Sequence, residues 1–403
     1  MKVLVADKFE SSGLDGLTAL GATVVYEPDL VDEALGARIK ESGADVLVVR
    51  STKVTGEMME GSRLAVVIRA GAGYNTIDTE SASQLGIRVA NCPGKNSHAV
   101  AELAFGLMLS LDRRIPDNVA QLRDGKWNKK EFSKARGIHG RTLGLIGMGN
   151  ISQEMIPRAK AFGMYVVAYS RWMTPDVAAA LGIGRASSLE ELAFMSDVVS
   201  VHVALTPDTR GSINADFFNK LRPGSLFINT SRAEVVDQAA LLDAVENKGI
   251  MAGLDVFEGE PSGGTGAYDG PLRSAKNVIC THHIGASTDE AQEAIAAEVV
   301  RICRDFKQSG NVRNVVNIKR AEYATHVVVV RHLDRVGVLA HVLGVLKDEG
   351  VNVQEMENIV LGGAKSAIAQ ISVDKNPSPQ ALLGIKMNPN VFDASVFEID
   401  RQV

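Results

Sequence analysis

The sequence predicts an α/β protein with two doubly wound parallel sheets and a small C-terminal unit in the order βαββαβ. Three observations support this prediction. Short apolar runs alternate with amphipathic stretches through residues 1–94, a strand runs into a glycine turn and a helix at 142–152, and the pattern changes after residue 323. Alternating strands and helices are typical of parallel sheets. A chain of 403 residues also suits two or three domains better than one.

Five short apolar runs are predicted as strands of the first sheet, with amphipathic stretches such as 32–42 and 78–85 between them. In parallel sheets, functional loops lie at the carboxyl ends of the strands. The five runs are Lys2–Ala6, Thr23–Tyr26, Val46–Val49, Ala65–Arg69 and Ile87–Ala90.

Two of these strand ends suit an anionic ligand. Arg50 follows the third strand and places a cation there, although a solvated surface charge is the alternative interpretation. The fourth strand runs into Gly71-Ala72-Gly73-Tyr74-Asn75, a glycine-rich loop whose bare N–H groups could hold a carboxylate of the substrate. The alternative is a turn that needs glycine for its positive φ.

A long helical pattern with an apolar face covers residues 95–125, and Asn96 or Ser97 is a candidate cap. A helix of this length could bridge two domains. The chain then passes through Trp127 and Lys129 into the next predicted strand.

The stretch 142–152 is predicted to bind a dinucleotide. Leu143–Ile146 suits a buried strand, Gly147 allows a tight turn, and Gly149 removes a side chain that would keep a pyrophosphate from the backbone. The helix that starts at Asn150 and Ile151 then directs free N–H groups and the positive end of its dipole at the phosphates.

The glycine pattern is imperfect, because Ser152 takes the place of the third glycine. The next predicted strand, Tyr165–Tyr169, follows about twenty residues later, as a βαβ unit requires. We therefore predict a Rossmann-like unit. An ordinary strand–turn–helix is the alternative.

The end of that strand bears on the choice of cofactor. An NAD-binding protein commonly has an acid here, which binds the ribose hydroxyls, whereas this chain has Ser170 and Arg171. Losing the carboxylate removes repulsion of a 2′-phosphate, and the hydroxyl and guanidinium supply donors for it. The prediction is NAD or NADP, with NADP favoured. The alternative is an arginine that points to water or stacks on the adenine and leaves NAD usable.

The remaining predicted elements complete a second parallel sheet and return the chain to the first. A Gly/Ser-rich loop is predicted at 262–270, the Thr288 hydroxyl is expected to cap a long helix, and 311–323 is predicted as a polar linker. The predicted strands are Asp197–Leu205, Ser225–Asn229, Met251–Val256 and Val278–Thr281, and the predicted helices cover 237–248 and 288–309.

The C-terminal pattern predicts a separate ferredoxin-like module. Its strands are predicted at 325–330, 351–361, 364–373 and 391–399, and its helices at 335–349 and 379–387.

Arg232, Glu260 and His283 follow strands of the second sheet and together suit dehydrogenation of a 2-hydroxy acid. His283 can accept the hydroxyl proton, Glu260 would stabilise the imidazolium, and Arg232 would bind the carboxylate and polarise the forming carbonyl. Taken singly, the three have plainer interpretations as a structural histidine, a surface acid and an ion-pair partner. Metal binding by His282 and His283 is not expected, because adjacent residues of an extended segment point in opposite directions.

Composition argues against several other classes of protein. The net charge of -5, without a dense basic patch, argues against a nucleic-acid partner. Three cysteines without paired spacing, Cys92, Cys280 and Cys303, argue against a disulfide framework. Neither a signal peptide nor an apolar run long enough to span a membrane is found in the sequence. The protein is therefore expected to be cytoplasmic.

Seven motifs follow one another along the chain: Arg69–Asn75 with Ile77-Asp78, Asn96-Ser97 with Ala101–Leu103, Gly144–Ile151, Asn229–Asp237, Gly253–Phe257, Glu260-Pro261 and His283–Thr288. In this order they resemble the D-isomer-specific 2-hydroxyacid dehydrogenase family over essentially the whole chain. The resemblance implies NAD- or NADP-dependent oxidation of 3-phospho-D-glycerate to 3-phosphohydroxypyruvate, the entry to serine synthesis, by a homodimer or homotetramer. A glyoxylate or hydroxypyruvate reductase is one alternative, and a non-catalytic nucleotide-sensing co-regulator is another.

The resemblance also implies roles for single residues. Arg232, Glu260 and His283 match the catalytic positions. The residue that holds the nicotinamide carboxamide matches Asp255, and two further cofactor contacts match Thr230 and Ala72. Arg50 matches the cation that binds the substrate phosphate. Lys129 is implied to assist it, in one interpretation from a neighbouring subunit. The implied domains are a substrate domain at 1–94 and 285–315, a nucleotide domain at 95–284 and a regulatory domain at 324–403.

The C-terminal module resembles an ACT domain, a small-molecule sensor. The effector positions of serine-sensitive dehydrogenases fall on His332, Asp334 and Asn352. Asp334 stands where the pattern has asparagine, and Val336 stands where it has proline. The resemblance implies L-serine as an effector, and the alternative is a module that only dimerises the protein.

Overall fold

The computed structural model describes residues 1–261, 265–318 and 323–399. It separates into one unit of residues 1–317 and a second of residues 318–403. The middle of the predicted Gly/Ser-rich loop, 262–264, and part of the predicted polar linker, 319–322, lie outside the described residues.

The first unit begins with a parallel sheet of five strands in the order β2-β1-β3-β4-β5. Its central strands are apolar because helices cover both faces, and a cluster of buried apolar side chains lies on each side. The strands are β1 Lys2–Val5, β2 Thr23–Tyr26, β3 Val46–Val49, β4 Val66–Arg69 and β5 Arg88–Ala90. The helices are α1 Ser11–Ala19, α2 Asp32–Ser42, α3 Gly56–Met59 and α4 Thr79–Gln84. We call this sheet and its helices the first lobe.

The helical pattern at 95–125 is broken in the structure, so the prediction of one continuous helix was wrong. Arg114 adopts a left-handed conformation with φ 48°, and a proline follows within the first turn of the next helix, where its ring suits a helix start. The side chain of Asn96, although it precedes the first helix, makes no capping hydrogen bond. The resulting helices are α5 Ser97–Arg113, α6 Ile115–Arg123 and α7 Lys129–Phe132.

A second parallel sheet has seven strands in the order β12-β11-β10-β9-β6-β7-β8. The strand order reverses beside β6, and doubly wound sheets open a ligand-binding crevice at such a point. The strands are β6 Thr142–Ile146, β7 Tyr165–Tyr169, β8 Gly184–Arg185, β9 Val198–Val201, β10 Leu226–Asn229, β11 Met251–Leu254 and β12 Val278–Cys280. The helices are α8 Asn150–Ala161, α9 Pro175–Leu181, α10 Leu189–Met195, α11 Ala215–Lys220 and α12 Gln238–Lys248. We call this sheet and its helices the second lobe.

The predicted strand at 197–205 was too long, since β9 ends at Val201. Beyond it the chain leaves the sheet and folds into a turn that is held by its own side chains. The backbone N–H of Thr206 donates to Thr209 Oγ1 over 2.8 Å. In a longer strand this N–H would instead form a hydrogen bond with a neighbouring strand.

Two long helices join the lobes. α5 packs against the second lobe, where its apolar residues are buried with those of α8 and β10. The last helix, α13 Asp289–Ser309, returns to the first lobe and buries Ile295, Val299 and Ile302 there. The predicted cap is present, because Thr288 Oγ1 accepts a hydrogen bond from the Ala291 N–H over 3.2 Å.

The second unit is an antiparallel sheet in the strand order β14-β15-β13-β16. Its core forms where strand side chains such as Val328 and Val330 meet helix side chains such as Val342 and Leu346. The elements are β13 His326–Leu333, α14 Val338–Asp348, β14 Val353–Val360, β15 Ser366–Val373, α15 Pro379–Lys386 and β16 Val391–Glu398. The order βαββαβ is the one that the sequence predicted. In neither unit does the described chain include a helix with the length and hydropathy needed to cross a membrane.

Candidate active site

A histidine and a carboxylate face each other on the loops that follow β12 and β11. His283 Nδ1 lies 2.8 Å from Glu260 Oε2, and Glu260 Oε1 accepts a hydrogen bond from the Phe257 N–H over 2.9 Å. Burial disfavours the charged form of Glu260, but the hydrogen bonds from His283 and Phe257 outweigh this effect and lower the pKa of the carboxyl group. Glu260 is thereby held as a carboxylate beside the imidazole.

The backbone of His283 is strained, with φ 51°. A residue other than glycine keeps such a conformation only when its surroundings hold it there. Asp255, 1% exposed, does so by accepting hydrogen bonds at Oδ1 from Thr281 Oγ1 (2.6 Å) and the Ile284 N–H (2.9 Å), and at Oδ2 from the Gly285 N–H (2.8 Å). The family resemblance implied a cofactor contact for Asp255, and the structure adds a role in shaping the histidine loop.

Arg232 is held by residues of both lobes. Its Nη1 donates to the Ser231 carbonyl oxygen over 2.6 Å, and its Nε donates to Asn75 Oδ1 over 3.4 Å. Asn229, which the sequence analysis did not single out, organises the loop by binding the N–H and hydroxyl of Ser231 and the carbonyl oxygen of Arg232. Burial lowers the pKa of the Arg232 guanidinium, and the charges of Glu234 and Glu260 partly oppose that shift.

The glycine-rich loop after β4 makes room for two guanidinium groups. A Cβ atom at Gly71, which has φ 147°, would lie 1.6 Å from Arg69 Nη1. A Cβ atom at Gly73 would lie 1.7 Å from Arg232 Nη2. The sequence suggested that these glycines expose N–H groups to a ligand. In the structure they allow arginines from the two lobes to lie against the backbone.

Arg69 is a second residue at this site to which the sequence analysis assigned no role. Its Nε is buried and has no hydrogen-bond partner within the described residues. Burial, together with repulsion from Arg232 and Arg50, lowers the pKa of its guanidinium to about 10. The Arg69 guanidinium therefore still carries positive charge at neutral pH. The signal was available in the sequence, since an arginine directly precedes the glycine loop at the end of a buried strand.

Arg50 lies on a loop that wraps around the carboxylate of Asp7. Asp7 Oδ2 accepts hydrogen bonds from the backbone N–H groups of Arg50 (2.6 Å), Ser51 (3.1 Å) and Thr52 (3.1 Å), and Oδ1 accepts one from the Thr52 hydroxyl (2.9 Å). Asp7 thus occupies the backbone donors of the loop. The Arg50 guanidinium makes no hydrogen bond among the residues that the structure describes.

Lys129, expected to help Arg50, lies on α7. There it lines a surface cavity together with Trp127 and Phe132. Within the described chain Lys129 makes no ion pair.

The turn between β6 and α8 fits a pyrophosphate. A Cβ atom at Gly147, which has φ 93°, would come within 2.5 Å of the His202 carbonyl oxygen. At Gly149 it would meet no atom within 4 Å, so open space lies beside the N-terminus of α8, which has no side-chain cap. Ser152 takes part in the turn, because its buried Oγ donates to the Gly147 carbonyl oxygen over 2.8 Å.

Two buried polar atoms at the edge of the same crevice lack a partner in the described part of the chain, Thr230 Oγ1 and His202 Nδ1. The register places Val201 beside Asn229, so the residues that follow them are neighbours. These atoms suit the polar groups of a dinucleotide. Ala72, which the resemblance assigned to the cofactor, has its carbonyl oxygen bound by Asn91 Nδ2 over 2.6 Å.

Arg171, predicted to bind a 2′-phosphate, forms an ion pair. Its Nη1 donates to Asp208 Oδ2 over 2.7 Å. Ser170, beside it, accepts a weak hydrogen bond at Oγ from the Trp172 N–H over 3.4 Å.

Among the described residues, no group of three or more His, Cys, Asp and Glu side chains is placed to hold a metal ion.

The predicted effector residues of the second unit are separated within one chain. His332 is 1% exposed, with Nδ1 2.8 Å from the Leu333 carbonyl oxygen and Nε2 3.1 Å from Asn358 Oδ1. It lies opposite residue 367 of β15, whereas Asn352 adjoins Val353, which lies opposite residue 373. At about 3.4 Å per residue, this register puts the two residues about 20 Å apart along the sheet. Asp334 donates its backbone N–H to the carbonyl oxygen of residue 365.

Comparisons with known proteins agree with this arrangement. Residues 105–285 match the NAD-binding domain of the D-isomer specific 2-hydroxyacid dehydrogenases. A D-3-phosphoglycerate dehydrogenase of Methanocaldococcus jannaschii is 40% identical over 321 residues, which are 79% of this chain and 60% of that protein. A hydroxypyruvate reductase of Thermotoga maritima is 44% identical over 269 residues, which are 66% of this chain and 85% of that protein.

A solved structure is similar as well. The NAD⁺-bound 3-phosphoglycerate dehydrogenase of Entamoeba histolytica superposes with a TM-score of 0.66 and 28% identity, covering 79% of this chain and 99% of that one. This chain spans only three fifths of the length of the Methanocaldococcus jannaschii protein, as the 60% coverage states.

His202 makes the stability of the protein depend on pH. Burial lowers the pKa of its imidazole to about 3, whereas a histidine in the unfolded chain titrates near pH 6.5. Below about pH 6.5 the unfolded chain binds a proton that the folded protein does not, so stability falls as the pH is lowered. We expect this group to contribute about 2 kcal/mol less at pH 5 than at pH 7.5.

Urea unfolding of the wild type and of His202→Asn at both pH values measures this contribution. The variant should lose correspondingly less stability between pH 7.5 and pH 5. The same pH dependence in both proteins would contradict a neutral, buried His202.

Proposed function

We propose that this chain, which belongs to the D-isomer-specific 2-hydroxyacid dehydrogenase family, interconverts 3-phospho-D-glycerate and 3-phosphohydroxypyruvate with NAD or NADP. Family membership follows from the match over residues 105–285 and from the Thermotoga maritima relative, 85% of which aligns at 44% identity. The reaction and the substrate are the parts that we propose.

The observation that carries the substrate assignment is the gathering of Arg50, Arg69 and Arg232. Repulsion between their guanidinium groups is among the causes of the lowered pKa of Arg69. A ligand with two anionic groups would relieve this repulsion, and the partnerless Nε of Arg69 offers it a buried donor. 3-Phosphoglycerate carries a carboxylate and a phosphate. An unphosphorylated hydroxy acid carries only the carboxylate and would leave part of the cluster without a counter-charge.

The proposed chemistry follows from the orientation of His283. Since Nδ1 faces the Glu260 carboxylate, Nε2 is left as the nitrogen that accepts the proton of the 2-hydroxyl group. Glu260 stabilises the imidazolium that results. Arg232 binds the substrate carboxylate and polarises the oxygen that becomes the carbonyl. Bound NAD or NADP supplies the hydride acceptor.

The residues around β6 support the cofactor part of the proposal. The uncapped N-terminus of α8 beside Gly149 suits the pyrophosphate, and the partnerless Thr230 Oγ1 suits a polar group of the dinucleotide. Ser170 and Arg171 stand where NAD enzymes carry an acid, which favours NADP. Asp255 remains a proposed contact of the nicotinamide carboxamide.

Reduction of hydroxypyruvate is a second candidate function. The observation that favours it is the 44% identity to the Thermotoga maritima hydroxypyruvate reductase over 66% of this chain. The two candidates differ in whether the substrate carries a phosphate, and the arginine cluster favours the phosphorylated one.

We further propose that the second unit is an ACT domain that binds L-serine between two copies of the chain. The register that separates His332 from Asn352 in one chain supports a site shared across a dimer. On binding, His332 Nε2 would form a hydrogen bond with L-serine in place of the one that it forms with Asn358. A homodimer or homotetramer would also allow Lys129 to act on the arginine cluster of a neighbouring copy.

The substrate proposal is tested by steady-state reduction of 3-phosphohydroxypyruvate and of hydroxypyruvate, each with NADH and NADPH. Arg69→Met should lower kcat/KM for the phosphorylated acid about 100-fold, because charged hydrogen bonds worth about 3 kcal/mol are lost. The same variant should change kcat/KM for hydroxypyruvate less than about threefold. Arg50→Met should act in the same direction, and Arg123→Met, an exposed arginine on α6, is the control.

His283→Ala separates chemistry from substrate binding in the same assay, since it should abolish most of kcat with both acids. Equal losses with both acids in Arg69→Met would contradict a phosphate site. Comparable kcat/KM for the two acids in the wild type would favour the hydroxypyruvate reductase.

Gly73→Ala tests the close approach of Arg232 to the glycine loop. A Cβ atom there displaces the flexible end of Arg232 and not the backbone, so the protein should fold normally. Misplacing a catalytic group by about 1 Å costs about 100-fold in kcat/KM, and the loss should be similar for both acids. Gly106→Ala is the matched control, since a Cβ atom at Gly106 meets no atom within 4 Å. Full activity in Gly73→Ala would place Arg232 elsewhere.

The shared effector site is tested by calorimetric titration with L-serine. His332→Ala and Asn352→Ala should each abolish binding. Co-assembly of the two variants in one dimer should restore one site, because the remaining His332 of one copy then meets the remaining Asn352 of the other. Binding by either variant alone would contradict the assignment, and so would co-assembly without recovery.

A further inference from the structure

An ion pair spans the crevice beside β6. Arg171 follows β7, and Asp208 lies in the loop after β9, and these two strands flank β6 on opposite sides. The 2.7 Å contact between Arg171 Nη1 and Asp208 Oδ2 therefore joins the two walls of the crevice. Doubly wound sheets bind the ribose and phosphates of a dinucleotide at this place.

Both partners stand on anchored loops. The turn that carries Asp208 is fixed by two threonines, because the Thr206 N–H donates to Thr209 Oγ1 over 2.8 Å and their hydroxyl oxygens lie 3.1 Å apart. On the opposite wall, Met173 is 3% exposed and its carbonyl oxygen accepts a hydrogen bond from Arg185 Nε over 2.7 Å. These hydrogen bonds thus hold the two loops in the conformations that bring Arg171 and Asp208 together.

We propose that Asp208 replaces the acid that is missing after β7, so that Asp208 and Arg171 form one site for the adenosine ribose of either cofactor. Asp208 accepts the 2′-hydroxyl group of NAD or NADH, and Arg171 binds the 2′-phosphate of NADP or NADPH. The inference rests on the proposed use of these cofactors. It adds a residue that no local pattern indicates, since Asp208 lies 37 positions beyond Arg171.

The two ligands use the pair differently. In the described chain Nη2 and Nε of Arg171 have no partner, so the guanidinium can bind a phosphate oxygen while Nη1 stays near Asp208. The Asp208 carboxylate then lies close to the 2′-phosphate and repels it. Asp208 therefore strengthens NADH binding and limits the preference for NADPH. Both side chains are more than half exposed, so solvent screening keeps each effect modest.

Calorimetric titration of the full chain measures these effects directly. The ligands are NADH, NADPH and the fragments 5′-AMP and 2′-phospho-5′-AMP. In Asp208→Asn, Kd should fall about fivefold for NADPH and rise about fivefold for NADH, and the two fragments should follow the same directions. In Arg171→Ala, Kd for NADPH should rise about 20-fold, while Kd for NADH should change less than about threefold.

Asp216→Asn is the control, because Asp216 is an exposed acid of the same lobe that makes no ion pair within the described residues. Its dissociation constants should stay within about twofold of the wild type. Equal changes for NADH and NADPH in Asp208→Asn, or no change in either, would overturn the inference.

The measurement contains no 2-oxo acid, so it can succeed even when 3-phosphohydroxypyruvate is not the substrate. Failure of the unaltered chain to bind either dinucleotide would contradict the proposed function itself. Binding of both dinucleotides with no response to Asp208→Asn would contradict only the role of Asp208.

Discussion

The candidate active site depends on the close approach of two arginines to one glycine-rich backbone. Arg69 comes from the first lobe and Arg232 from the second, and the glycines at 71 and 73 leave the space in which their guanidinium groups lie. Burial is the main cause of the lowered pKa of both guanidinium groups, and nearby acidic groups only partly oppose it. The positive charge of these guanidinium groups is thus only partly compensated in the isolated chain. It suits a small ligand with more than one negative charge.

Carboxylates stabilise the loops around this site by accepting hydrogen bonds from backbone N–H groups. Asp7 accepts hydrogen bonds from three N–H groups of the loop that carries Arg50, and Asp255 accepts two from the loop that carries His283. The second case offsets a left-handed backbone at His283 that would otherwise be unfavourable. Hydrogen bonds from several N–H donors to a charged acceptor are strong, so they stabilise these loop conformations in the isolated chain.

The proposed cofactor crevice lies beside β6, at the same carboxyl edge of the second sheet as the loops that carry Arg232 and His283. The end proposed to bind the phosphates has an uncapped helix and two glycines, and Ser152 closes the turn through a hydrogen bond to Gly147 where a third glycine was expected. Its proposed ribose end is formed by Arg171 and Asp208, whose charges meet across β6. One end therefore relies on backbone donors, and the other relies on side-chain charge.

The sequence by itself determined most strands, several helix limits and the residues of the dehydrogenase motifs, because periodicity and turn chemistry act over a few residues. The strand Tyr165–Tyr169 and the cap at Thr288 are examples. The break at Arg114 was missed, although Pro116, which suits the first turn of a new helix, was a local signal for it. Only the tertiary structure decided that Arg69 joins Arg232, that Asp208 faces Arg171, and that His332 and Asn352 lie at opposite ends of their sheet. The physical reason is that strand order and register, which no short stretch of sequence encodes, decide which distant side chains meet.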